Sequence, residues 1–199
     1  MEVRETVYFD RPGRKNTKAV AEAVRRRCQE LGVKEVVFAS SSGKTALVFQ
    51  EVLQGLDVSL VAVASHAGFR GGDAPSMEPE QRKELEAKGV KVLICAHALS
   101  GVERSISGKF GGRSHVEIIA ETLKRFGTEG VKVAVEVAVM AADAGLVPTD
   151  REIIAVGGTG GGADTALVMK AAHMNNFFDL EVREIIAKPR QRVADASRS

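Results

Sequence analysis

Short apolar runs alternate with amphipathic stretches along the whole chain. Residues 35–40, 58–64, 90–96 and 153–156 are mostly apolar, rich in Val and Ile, and of strand length, the pattern of strands covered on both faces. Residues 6–9 predict a short first strand. Residues 179–187, where Leu180, Val182 and Ile185 alternate less cleanly, predict an edge strand. Helical spacing appears at 16–31, with Asn16 as N-cap, Val20, Val24, Cys28 and Leu31 on one face and Gly32 as the stop. Residues 43–54, 79–88, 115–126 and 163–175 also read as helices. Residues 131–137 alternate as a strand would, yet Glu129, Lys132, Glu136, Met140 and Asp143 fall at spacings of three and four. They mark the polar stripe of a helix buried on most sides and ended by Gly145 and Pro148.

Strands alternating with helices predict a largely parallel sheet covered on both faces, a three-layer α/β/α sandwich. No Pro- or Ser-rich linker and no internal repeat divides the chain, so residues 1–199 read as one domain, with 194–199 as a frayed tail. At 199 residues such a chain buries about 70% of its extended surface and needs no metal or disulfide staple. A net charge of +2 is too balanced for wholesale binding to a phosphate backbone. With eight Phe, one Tyr and no Trp, a base-stacking platform is not expected, so nucleic acid is not an expected partner. No apolar run approaches the ~20 residues that cross a bilayer, and the charged start (Met1, Glu2, Val3, Arg4, Glu5) lacks the apolar stretch of a signal peptide. Cys28 and Cys95 sit in apolar patterns and read as reduced core thiols of a cytoplasmic protein.

Ligands of open parallel sheets bind beyond the carboxyl ends of the strands. Four segments at such ends carry glycine and polar residues: 40–45, 65–76, 97–114 and 157–164. The first, Ser40, Ser41, Ser42, Gly43, Lys44 and Thr45, joins a strand to a helix. Free amides at a helix start, with about half a positive charge, suit an anion. Hydroxyls, a glycine and a lysine complete a phosphate cradle. It is no Walker loop, because the required earlier glycine falls at Phe38. Ser41 and Lys44 have the Ser-x-x-Lys spacing without its partner motifs.

In the last segment, Gly158, Gly160 and Ala163 satisfy a relaxed dinucleotide fingerprint ahead of an expected helix. Asp179 lies at about the ribose-acid distance, and Asp164 reads as a dipole partner at the helix start. The glycines offer a bare backbone wall to a planar ring or a phosphate. The two central segments are long enough to be binding loops or lids, each with an aromatic between glycines, Phe69 and Phe110. His66 and His97 follow strands, where a general acid or base would stand. Cys95 and His97 share a strand face, but no third ligand follows at a recognisable spacing, so no metal is expected. His115 and His173 fall in expected helices, and Arg11, Arg14, Lys15 and Lys18 read as a solvated basic face.

The run Ser-Ser-Ser-Gly-Lys-Thr-Ala at 40–46 resembles the turn with which the C-terminal domain of pyruvate kinase grips the phosphate of a sugar-phosphate effector. The chain is similar to stand-alone archaeal and bacterial relatives of that domain on three stretches: 8–17 (Tyr-Phe-Asp-Arg-Pro-Gly-Arg-Lys-Asn-Thr), 140–145 (Met-Ala-Ala-Asp-Ala-Gly) and 154–166. The resemblance implies a five-stranded mixed sheet between helices with one antiparallel edge strand, homo-oligomeric contacts, and flavin mononucleotide (FMN) as ligand. It implies no pyruvate kinase activity, because the catalytic (β/α)8 barrel of ~250 residues has no room in this chain.

On this reading the FMN phosphate sits on residues 40–45, and the ring lies among His66, Gly68, Phe69, His97, Leu99, Ser100, Gly158, Thr159 and Gly160. His66 is then the proton-transfer partner of a flavin-dependent redox reaction. The alternative is a non-catalytic sensor of a phosphorylated sugar or nucleotide, which leaves open whether the chain is an enzyme. A third reading is a scaffold that uses the apolar helix 131–144 as a subunit contact.

Overall fold

In the computed structural model, which describes residues 1–69 and 71–192, strands and helices follow one another as the apolar runs require. The strands are β1 (Val7–Phe9), β2 (Glu35–Ala39), β3 (Ser59–Ser65), β4 (Val90–Cys95), β5 (Glu152–Gly157), β6 (Thr165–Lys170) and β7 (Glu181–Pro189). The helices are α1 (Thr17–Leu31), α2 (Lys44–Val52), α3 (Pro79–Ala87), α4 (Gly101–Phe110), α5 (His115–Leu123) and α6 (Glu129–Asp143). All seven strands form one mixed sheet in the order β1-β7-β6-β5-β2-β3-β4. β2 runs parallel to β3 and β5, β3 parallel to β4, and β1 parallel to β7; β6 is antiparallel to both its neighbours.

Strand periodicity sorts the side chains into two cores. Val36 and Phe38 of β2 join the core under α1, α2 and α3, where Val20, Val24, Phe49 and Leu85 are buried. Val37 points the other way, with Ile153, Ala155, Leu167 and Met169, against α6. These are the three layers. α6 is a helix despite its strand-like alternation, and eleven of its fifteen residues are buried. Burial pushes the Cys28 thiol up to about 11, leaving it an inert core residue.

Several expectations need correction. The sheet has seven strands rather than five. Residues 163–175 are not a helix: they hold β6 and then enter a 3-10 turn, Met174–Asp179. β7 is not an edge strand, because β1 and β6 pair with it on either side; β1 and β4 are the edges. Residues 97–114 are not one long loop, since α4 occupies most of them. Asn16 holds the N-cap position of α1 as expected, but its side chain caps no helix amide: it closes a 3-10 turn and its side-chain amide donates to the Arg11 carbonyl at 2.8 Å. The tail expected at 194–199 lies outside the described residues. No helix among them is long and apolar enough to cross a membrane.

Strand order also locates the crevice. From β2 the chain proceeds outward to β3 and β4, then returns through α6 to β5 on the other side of β2. The loops leaving β2 and β5 therefore diverge at a topological switch point, where doubly wound sheets open a cleft.

Candidate functional site

A cavity of about 1070 Å³ opens at this switch point. Its first wall is the β2–α2 turn. The Ser40 amide donates to the Val63 carbonyl (2.8 Å), and its buried hydroxyl accepts the Ala46 amide (3.1 Å), tying the turn to both β3 and α2. Gly43 takes φ = +78°, which lets the chain reverse into α2 without strain. The amides of Ser41, Ser42, Lys44 and Thr45 make no hydrogen bond among the described residues, as expected of a helix start. The Ser41 and Ser65 hydroxyls lie 2.9 Å apart. The exposed Lys44 side chain has no ion-pair partner among the described residues.

The glycine-rich turn after β5 forms the second wall through Gly158, Gly160, Gly161 and Gly162. It leads into a strand rather than a helix, so it carries no helix dipole, and the dinucleotide reading with Asp164 at a helix start and Asp179 as ribose acid does not hold. Asp164 is instead fully buried. One of its oxygens accepts the amides of Gly13 (2.9 Å) and Thr159 (3.0 Å), and the other accepts the Thr165 hydroxyl (2.9 Å). Thr17 holds the same turn from α1, accepting the Ala163 amide at 3.0 Å. Gly157 is needed for packing: a Cβ there would stand 2.1 Å from the Gly130 carbonyl oxygen on α6.

The third wall is charged. Glu136 is 3% exposed. It accepts the Leu99 amide at 2.9 Å and pairs with Lys132 at 2.6 Å, fixing the β4–α4 turn to α6. Lys124 bridges Glu121 and Glu129. Glu117 takes hydrogen bonds from Ser107 and Ser114, which hold its carboxyl below the usual range. The cleft's acids thus have partners within the chain, whereas Arg14, Lys44 and Arg104, which also line it, have no ion pair among the described residues. The surplus favours an anion.

At the mouth, Phe69 and His97 meet edge to face at 4.5 Å, and His66 stands 5.4 Å from His97. Burial holds the His97 imidazole below its ordinary value, with Lys132, His66 and Arg104 acting the same way and Glu136 opposing. The shift favours the neutral imidazole.

Of the residues expected at the site, Ser40, Ser41, Ser42, Lys44, Thr45, Phe69, His97, Leu99, Ser100, Gly158 and Gly160 line the cavity. Gly43 lies behind the turn against Gln81. His66, Gly68 and Thr159 are beside the cavity without lining it; the Nδ1 of His66 is engaged by the Ala67 carbonyl, and the Thr159 hydroxyl by Thr128. Phe110 is 76% exposed at the far end of α4 and does not reach the cavity. Sequence reasoning missed Lys132, Glu136, Arg104 and Arg113 as lining residues. The spacing of four between Lys132 and Glu136 on the polar stripe of α6 was the available signal.

A family model described as the pyruvate kinase alpha/beta domain matches residues 18–169. Two solved structures from Cryptosporidium parvum are similar. A pyruvate kinase shares 15% identity over 70% of this chain and 20% of its own, with a TM-score of 0.39. A pyruvate kinase in complex with ADP shares 17% identity over 87% of this chain and 24% of its own, also at 0.39. The chain thus spans about a fifth to a quarter of the length of these kinases. With more than half of its residues matched, the chain belongs to the pyruvate kinase alpha/beta domain family.

Proposed function

We propose that the chain binds a phosphate-bearing ligand at the carboxyl edge of the sheet, that this ligand is FMN, and that the protein serves a flavin-dependent redox role in the cytoplasm without pyruvate kinase activity. One observation carries the reading: four unengaged amides converge with the free Lys44 ammonium at the start of α2. Backbone donors at a helix N-terminus, joined by serine hydroxyls and one cation, are the donor set a phosphate dianion calls for.

The remaining surfaces suit a flat ring. A cavity of about 1070 Å³ is ample beside the ~300–1,000 Å³ of ordinary ligand pockets. Gly158 and Gly160 present bare backbone, and Phe69 and His97 present aromatic surface. Bound flavin supplies hydride or single-electron transfer. The chain's residues hold the phosphate, orient the ring and exchange a proton. His97 suits that last task better than His66, because it lines the cavity.

A second reading, a sensor of a phosphorylated sugar, is favoured by the wall built from Lys132, Glu136, Lys124 and Glu129, which suits hydroxyl groups better than an apolar ring. Freshly purified protein is expected to be yellow and to release FMN on denaturation, identified by mass spectrometry. Stripped protein should bind FMN at least ~10-fold more tightly than riboflavin, which lacks the phosphate. Colourless protein that takes up no FMN at saturation, yet melts higher with sugar phosphates according to RT ln(1 + [L]/Kd), selects the sensor. No response to either class rejects both readings.

A further inference from the structure

α6, whose apolar composition suggested a subunit contact, is buried inside the fold, and Lys132 and Glu136 of its polar stripe line the cavity. Their side chains are only 14% and 5% exposed and meet at 2.6 Å. Both Glu136 oxygens are engaged, since the second accepts the Leu99 amide. Lys132 is less well served. An ammonium carries three N–H donors, and Glu136 is the one acceptor it has among the described residues. A lysine so nearly enclosed, with donors to spare at a cavity wall, lacks a partner that a ligand can supply. Two more groups share its compartment. His97, at the end of β4, and Arg104, near the start of α4, also line the cavity, and the His97 ring feels the charges of Lys132, Glu136 and Arg104 together. These groups stand apart from the β2–α2 turn. α2 covers one face of the sheet, with Phe38 and Phe49, and α6 covers the other, with Val37 and Ile153. A phosphate on that turn leaves them unanswered.

We infer that Lys132, Arg104 and His97 form a second subsite of the cavity, which takes the carboxylate of a small organic acid, the second substrate of the flavin reaction proposed above. The charge balance selects the class. Glu136 cancels Lys132, and Arg104, which has no ion pair among the described residues, leaves one positive charge in excess. That excess matches a monoanion, whereas the free amides and Lys44 of the β2–α2 turn match a dianion. Lysine and arginine give a carboxylate charge-assisted hydrogen bonds, and His97 adds a ring nitrogen. The volume suits two ligands: about 1070 Å³ passes the ~300–1,000 Å³ usual for one, leaving room for a small acid beside a nucleotide. The role as second substrate rests on the flavin reading; the binding of a carboxylate does not.

NMR titration of the full chain with propionate, with and without FMN, tests both layers. Propionate should bind in either state with a Kd of ~1–10 mM, as befits so small a ligand. Propionamide, its uncharged isostere, should bind at least ~10-fold more weakly. Arg104→Gln should weaken propionate ~10-fold and leave inorganic phosphate unchanged. Lys132→Met combined with Glu136→Gln removes the ion pair as a unit and keeps an acceptor for the Leu99 amide, so the chain should stay folded and lose propionate. Glu136→Gln alone unmasks Lys132 and should tighten propionate ~3-fold or more, which a purely structural pair would not do. No propionate binding at ~100 mM, equal binding of propionamide, or an affinity that Arg104→Gln does not move overturns the subsite. So does a parallel loss of phosphate affinity in Arg104→Gln, which would make the bound group a second phosphate. A chain that takes propionate but no FMN keeps the subsite and loses the flavin reading; FMN bound without propionate does the reverse.

Discussion

The turns leaving β2 and β5 are built from nearly the same residues, glycine and small hydroxyls, and meet at the same crevice, yet only the second carries a carboxylate of its own among its donors. After β2 the chain enters a helix, and the amides of Ser41, Ser42, Lys44 and Thr45 remain without protein acceptors among the described residues. After β5 it enters an antiparallel strand, and the amides of Thr159, Ala163 and Asp164 have protein acceptors, one of them the buried Asp164 carboxylate, while those of Gly158, Gly160, Gly161 and Gly162 have none among the described residues. Asp164 is a built-in anion for its turn. A second carboxylate or phosphate brought there would meet an existing negative charge. Composition alone does not make an anion site; a following helix adds its dipole to the free donors of the first turn, whereas a buried carboxylate already takes donors of the second.

Removing the internal anion should have the largest effect. Asp164→Ala leaves the Gly13 and Thr159 amides and the Thr165 hydroxyl without their acceptor, at about 1–3 kcal/mol for each group left unsatisfied. Urea denaturation should show a loss of about 3 kcal/mol or more, with Asp164→Asn between wild type and Ala. A loss below about 1 kcal/mol would mean that the two turns do not differ as described. Next, Lys44→Ala should leave stability unchanged, because Lys44 is exposed and makes no ion pair among the described residues. Titration calorimetry should show FMN or sugar-phosphate affinity falling ~10-fold, the value of one charge-assisted contact. Equal affinity would move the phosphate away from this turn. The smallest effect belongs to Ser40→Ala, which removes the acceptor of the Ala46 amide and should cost about 1 kcal/mol in thermal unfolding.

The same contrast explains what the sequence revealed. Residues 153–156 and 35–40 were legible as strands because both their faces are covered and both therefore read apolar. β6 was not. Its Ala166, Leu167, Met169 and Lys170 are all good helix formers, and a short buried apolar run has no period that separates strand from helix. The fingerprint reading of residues 157–164 failed with it, because its meaning depended on a helix that is a strand. Burial of α6 was legible from its narrow polar stripe, but that the stripe faces a cavity was not. Lys132 and Glu136 lie some ninety residues from the β2 turn, and only the crossover from β4 to β5 brings them together. Arg14 read as part of a solvated face for the same reason: its neighbour across the cleft mouth, Gly162, comes from the far end of the chain.

The pairing of Phe38 with Val156 has a kinetic corollary. Two strands separated by most of the polypeptide must meet before the crevice exists, and such distant contacts form slowly because the intervening chain has to be ordered first. Occupancy of the crevice would then report that folding has finished. Half-made chains emerging from the ribosome would be blind to the ligand, however high its concentration.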